Sequence, residues 1–184
     1  MERSGEAQTL EVRLLGQFKV LVDRILVDIP SRPVQSLFAY LIINAGVSFR
    51  REKLAGLLWP EAMEENARNY LRSALWRICK ALEAAGLSGE AYLEIDEIAV
   101  TFRKEAKYWL DFERLVERRE GVRWTTQALI DAVSLYQGEL LPGFYDEWAV
   151  LERERARAAF EHKMKLLLER LIGERRWDGV LDWG

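Results

Sequence analysis

Between Asn66 and Leu82 the chain carries four basic residues, Arg68, Arg72, Arg77 and Lys80, and no acidic one, although its formal net charge is -3. Asn66, Asn69, Ser73 and Trp76 are interleaved with them. On a helical wheel at about 100° per residue, Ala67, Leu71, Ala74, Leu75, Ile78, Leu82 and Ala85 gather on one side. Asn66, Asn69, Ser73, Trp76, Arg77 and Lys80 fall opposite, with Arg68 and Arg72 nearer the edge. Arg and Asn can bond base edges with two hydrogen bonds at once, and Lys and Arg neutralise phosphates, so this inventory suits the major groove of a duplex. Simple solvation also produces basic helix faces, and on this helix alone both readings stand. A tryptophan on the solvent side calls for a partner, a ligand or a neighbouring domain to cover it.

Other chemistries find little material. The sequence has no glycine-rich phosphate loop, no pair of histidines and no Cys-x-x-Cys, and its single histidine, His162, lies between Glu161 and Lys163 on a predicted helix. Neither an enzyme nor a metal or cofactor site is expected. The acidic groups at Glu61 to Glu65 and Asp146-Glu147 stand near predicted helix starts, where carboxylates favour the dipole. One cysteine, Cys79, excludes an internal disulfide framework and fits a reducing cytoplasm. The longest nearly apolar run, 37–47, is about half a bilayer span, and Met1 to Glu6 shows no signal-peptide core, so no membrane association is expected. With 49% apolar and 31% charged residues the chain should fold around a substantial core. Each half, divided at Phe102, is slightly acidic, so any basic footprint is local.

The elements that must position the basic helix follow from periodicity. Leu10, Val12 and Leu14, then Phe18, Val20 and Val22, then Ile25, Val27 and Ile29 alternate as three short strands broken near Gly16 and at Asp23-Arg24. A helix over about 32–45 starts at Ser31-Arg32-Pro33 and stops at Gly46. Leu54, Leu57 and Leu58 mark a short second helix closed by Trp59-Pro60, with Arg50 where a capping Ser or Thr is expected. The basic helix occupies about 65–85 before Gly86, and Tyr92 to Phe102 reads as a hairpin around Asp96-Glu97. Beyond Phe102 the period turns helical, with candidates at about 107–119, 125–136 and 146–172 and another beginning at 175. Trp177 to Leu181 opens an apolar face without a following partner helix, which points to a piece of a longer protein.

Strands, three helices and a closing hairpin give a winged helix-turn-helix order. Pro30-Ser31-Arg32, Arg51-Glu52-Lys53-Leu54-Ala55, Leu57-Leu58-Trp59-Pro60, Ala67-Arg68 and Leu71 to Leu82 resemble the OmpR-type winged helix of the antibiotic regulatory proteins, the SARP class. Asp111-Phe112-Glu113, Leu135 to Tyr145, Glu147-Trp148 and Glu152 to Arg155 resemble the bacterial transcriptional activator domain of that class. The resemblance implies an α+β winged helix-turn-helix over 8–103 followed by an all-α, tetratricopeptide-like domain over 104–184. It implies a transcriptional activator that binds double-stranded DNA, contacts RNA polymerase and self-associates on repeated sites. Asn69, Ser73, Trp76 and Arg77 then face the groove, and the wheel exposes the same four. The candidate DNA-contacting set is Arg50, Arg51, Asn66, Arg68, Asn69, Arg72, Ser73, Trp76, Arg77 and Lys80.

Two departures bear on that expectation. Cys79 stands where relatives usually carry Arg, which implies one contact fewer, and the wing carries Glu94, Asp96 and Glu97 where a basic tip would best enter a minor groove. They favour the rival reading, a protein-interaction adapter whose winged helix has lost DNA. The uninterrupted basic composition of the helix favours DNA.

Overall fold

A computed structural model describes residues 8–117 and 124–174, and they form a mixed α/β structure of two compact units. The first unit holds the chain up to Val12 and Lys19–Trp109. Strands β1 (Leu10–Arg13) and β2 (Lys19–Val22) lie where alternation predicts them, whereas β3 (Ile25–Leu26) covers only the start of the third run and is exposed, with Val27 and Ile29 buried beyond it. Helix α1 (Arg32–Ile43) follows. Ser31 occupies its N-cap position at φ 65° but makes no side-chain cap bond, so Pro33 in the first turn is the start signal that the structure uses. Gly46, expected to stop α1, instead turns the chain into β4 (Ser48–Arg50), donating its N–H to the Phe102 carbonyl at 2.8 Å. Helices α2 (Arg51–Leu58) and α3 (Glu64–Ala84) come next. A one-turn helix, α4 (Gly89–Tyr92), leads into β5 (Leu93–Ile95), β6 (Ala99–Phe102) and β7 (Tyr108–Leu110).

One sheet has the order β3-β2-β1-β7 and the other β4-β6-β5. In the second, both pairings are antiparallel, with Phe49 opposite Val100 and Leu93 opposite Phe102. The helices close over this sheet through Leu37, Phe38, Leu41, Leu54, Leu71 and Ile78, all nearly inaccessible. Each such side chain contributes about 1.5 to 3 kcal/mol by leaving water. Phe102 is the hub of the aromatic packing: Phe38, Tyr92 and Tyr108 have ring centroids 6.3, 6.2 and 5.2 Å from it.

The second unit consists of Arg13–Phe18 and the chain from Leu110 onward. The helix expected over 107–119 is a correction: its first residues are β7, and only α5 (Asp111–Val116) is helical among those described. Tyr108-Trp109-Leu110 is extended because it pairs in the first sheet, a partner that local periodicity does not reveal. Helix α6 (Thr126–Val133) is capped by Thr125, whose hydroxyl accepts from the Ala128 N–H at 3.1 Å, and α7 runs over Glu147–Gly173. Leu129 and Val133 of α6 pack with Leu167 and Leu171 of α7, and Tyr136 stacks on Phe160 at 4.4 Å. The helix expected from 175 lies outside the described residues.

The segment Arg13–Phe18 is tied into this unit by polar contacts. Asp111, almost fully buried, accepts the N–H groups of Leu14 and Leu15 at 2.9 Å and of Phe112 at 2.7 Å. Leu141 donates to the Leu14 carbonyl at 2.8 Å and Gly16 to the Glu139 carbonyl at 2.9 Å. Gly16 adopts φ 83°, and a side chain there would meet the Gln137 backbone. Lys163, also buried, donates to the carbonyls of Leu115 and Glu117 and closes the C-terminal end of α5. No helix among the described residues is long and apolar enough to cross a membrane.

Candidate nucleic-acid interface

Helix α3 is set by its two ends and its apolar face. It starts after the turn that Trp59-Pro60 opens, with Glu64 and Glu65 in the first turn. It ends in a Schellman motif: Gly86 at φ 85° donates to the Glu83 carbonyl at 2.9 Å and Leu87 to the Leu82 carbonyl at 3.0 Å. Ala67, Leu71, Ala74, Leu75, Ile78 and Leu82 are buried as the wheel requires, while Ala85 is only half-buried. Asn66, Arg68, Asn69, Arg72, Ser73, Trp76, Arg77 and Lys80 are all exposed, Trp76 to 61%. The polar and basic residues of the helix therefore share one exposed surface.

The cations on that surface differ in their partners. Arg68 pairs with Glu64 at 2.5 Å and Lys80 with Glu83 at 2.5 Å, both within the helix and both exposed. Arg72 and Arg77 form no ion pair among the described residues. Cys79 is half-buried and turned toward α4, where a Cβ on Gly89 would stand 3.0 Å from its Sγ. Burial pushes its thiol up, and Glu83 and Glu90 add to this. The cysteine thus fills a packing position beside α4, and the exposed stripe is continuous without it.

Arg50 and Arg51 differ in exposure and partners. Arg50 is exposed at the end of β4, opposite Ala99. Arg51 is half-buried: its N–H donates to the Ile98 carbonyl at 2.9 Å and its guanidinium to the Asp96 carbonyl at 3.0 Å. It fastens the start of α2 to the β5–β6 turn, and Arg51 belongs with the scaffold as much as with the surface. The same turn is held from within by Asp96, whose Oδ1 accepts from Ile98 and Ala99 at 2.7 Å each. Those two N–H bonds, from Ala99 first, hold the Asp96 carboxyl below its usual range. Glu94 pairs with Arg103 at 3.2 Å. Two of the three acidic residues of the hairpin thus have local structural partners.

Beside Asn66 lies an open hollow of about 580 Å³ whose lining includes Trp59, Pro60, Met63 and Tyr70. Met63 is 75% exposed, and Trp59 and Tyr70 meet at 6.1 Å. Sequence reasoning passed over Met63 and Tyr70, although their separation by seven residues places them on one side of the helix. Among the described residues no group of three or more His, Cys, Asp or Glu is gathered to hold a metal ion.

An architecture of small sheets, three packed helices with an exposed basic one, and a further helical unit has a solved counterpart. The chain is similar to Mycobacterium tuberculosis EmbR, a SARP-family regulator solved in complex with a low-affinity phosphopeptide, with a TM-score of 0.70 over 91% of this chain at 20% identity. It covers 49% of the EmbR chain, about half the length of that protein. The likeness shows a fold shared with that protein. No family model matches the sequence, and no curated protein matches it.

Proposed function

We propose that the chain is a sequence-specific, DNA-binding transcriptional regulator of the SARP type, an activator working in the cytoplasm and not an enzyme. In this reading residues 8–103 are a winged helix-turn-helix and 104–184 a tetratricopeptide-like activator domain. The observation that carries it is the exposed face of α3, where Asn69, Ser73, Trp76 and Arg77 lie with Arg72, which has no ion pair among the described residues, on the side opposite a buried stripe. The fold shared with EmbR supports the same assignment. Asn69 and Arg77 would read base edges and Arg50 and Arg72 would meet phosphates, with Arg68 and Lys80 flanking them in pairs with Glu64 and Glu83. The β5–β6 hairpin is the wing. The helical domain would contact RNA polymerase and neighbouring copies on directly repeated half-sites. No cofactor is required.

Selection from random duplexes with the purified chain tests the proposal. A defined sequence should emerge, and Arg77→Ala should cost about 1 to 3 kcal/mol on it and relax preference at one position. Recovery of no preferred sequence, with the fold intact by circular dichroism, would overturn it. The acidic hairpin tip, Glu94 to Glu97, would then favour the non-DNA-binding adapter.

A further inference from the structure

The four cations of α3 are not equivalent, and the difference is built from glutamates of the same helix. Glu64 Oε1 lies 2.5 Å from Arg68 and Glu83 Oε2 lies 2.5 Å from Lys80, whereas the inner Arg72 and Arg77 form no ion pair among the described residues. At a rise of 1.5 Å per residue the outer cations are about 18 Å apart along the axis and the inner two about 8 Å. The uncompensated positive field is therefore confined to the middle of the helix, next to Asn69, Ser73 and Trp76. Both ends present neutral pairs.

The helix dipole accounts for one glutamate and not the other. Glu64 sits in the first turn, where a carboxylate favours the dipole. Glu83 sits in the last turn, where the dipole disfavours it, and that turn contains no basic residue. A carboxylate placed against the helix dipole gains helix stability only through its weak pair with Lys80, which leaves room for a second role. It presents to Lys80 the same charged oxygen chemistry that a phosphate would.

We infer that Glu64 and Glu83 act as internal phosphate surrogates that hold down the affinity of α3 for polyanions, an inference that rests on the DNA-binding reading above. Exposed pairs of this kind are individually weak and open readily. The carboxylate still works when the pair opens, because it stays within a Debye length of about 8 to 10 Å and cancels the field of its cation as a phosphate approaches. Binding to non-target DNA is then left with little electrostatic hold, and retention depends on base edges read by Asn69, Ser73 and Arg77 and on neighbouring copies.

The test compares Glu64→Gln, Glu83→Gln and the double variant with Glu105→Gln, the same charge change away from α3. Binding to a random-sequence duplex is titrated with NaCl, and elution from heparin, a polyanion without base edges, is measured in parallel. Each freed cation should steepen the log–log salt slope by about 0.9 and, extrapolated from 1 M to 0.1 M salt, raise random-duplex affinity roughly 8-fold. Heparin elution should move to higher salt. Lys80→Ala should leave the slope nearly unchanged in the parent chain and lower it by about 0.9 in the Glu83→Gln background. Slopes and elution indistinguishable from Glu105→Gln would overturn the inference. The two readings fail separately: a preferred sequence lost on Arg77→Ala without any change of slope sinks only the masking, and a heparin shift without a preferred sequence sinks only the sequence-specific reading.

Discussion

Replacing Asp111 by Ala should cost the second unit about 3 to 5 kcal/mol, the sum for its orphaned N–H partners less the relief of burying a carboxylate. The residue is 3% exposed, and its two oxygens take the N–H groups of Leu14, Leu15 and Phe112, which are themselves buried. Alanine leaves three donors without that acceptor, at about 1 to 3 kcal/mol for each one that stays dry. Relief of carboxylate burial offsets part of this. That burial is strong enough to push Asp111 above its usual range against the opposing pull of the Leu15, Leu14 and Phe112 N–H groups and Arg13. Hydrogen exchange provides the assay: the Leu14 and Leu15 amides should exchange at least about 100-fold faster, with amides of α1 as the reference in the other unit. Loss of less than about 1 kcal/mol would refute the accounting. The sign of the pH dependence gives a second check. Because the folded carboxyl keeps its proton above the unperturbed 3.8, its contribution is full below that value and is lost as pH rises through the raised one. The stability gap between the parent and Asp111→Asn should therefore be widest in acid and narrow toward neutrality; a gap that widens with pH would mean that the N–H bonds outweigh burial.

Gly16→Ala should destabilise the second unit by about 2 to 4 kcal/mol in denaturant melts, since a positive φ and backbone overpacking add; its Cβ would stand 2.9 Å from the Gln137 carbonyl. Lys163→Met keeps the apolar stem but strips the ammonium from the carbonyls of Leu115 and Glu117, and a loss of about 2 to 4 kcal/mol with faster exchange in α5 is expected. Asp96 is held below 3.8, so the β5–β6 turn keeps its contribution above that value and loses it as pH falls through the depressed one. The Ile98 and Ala99 amide shifts should accordingly titrate with a midpoint below 3.8; a midpoint at or above it contradicts the role given to these two bonds.

The long elements and the face of α3 were legible because burial imposes a period that the sequence displays: six of the wheel's apolar positions, from Ala67 to Leu82, are buried in the structure. Elements set by distant pairing were not. β4 and β7 are three residues each, too short for alternation to register, and β7 owes its extended form to its place beside β1 in the sheet. Arg51 reads from sequence as one more surface cation, and only the folded hairpin supplies the Asp96 carbonyl that engages it. The Glu64–Arg68 and Lys80–Glu83 pairs have visible helical spacing, yet they straddle the edges of the acid-free window and dilute what looked like an unbroken basic run. For Cys79, comparison by residue type suggested a missing contact, whereas its direction toward Gly89 came only with the packing of α4.

The threading of Arg13–Phe18 into the second unit has a consequence for how the protein is made. The N–H of Leu14 waits for a carboxylate 97 residues further along. At about 5 to 20 residues per second, a ribosome takes roughly 5 to 20 s to deliver it. During that interval the first strands have emerged, but the link between Val12 and Lys19 has no unit to join. Neither unit can be released from the chain by a single cut, because the second takes Arg13–Phe18 from inside the span of the first as well as the chain that follows it. A shortened gene beginning at Leu110 would encode the helices of the second unit without the segment that its buried aspartate is there to receive.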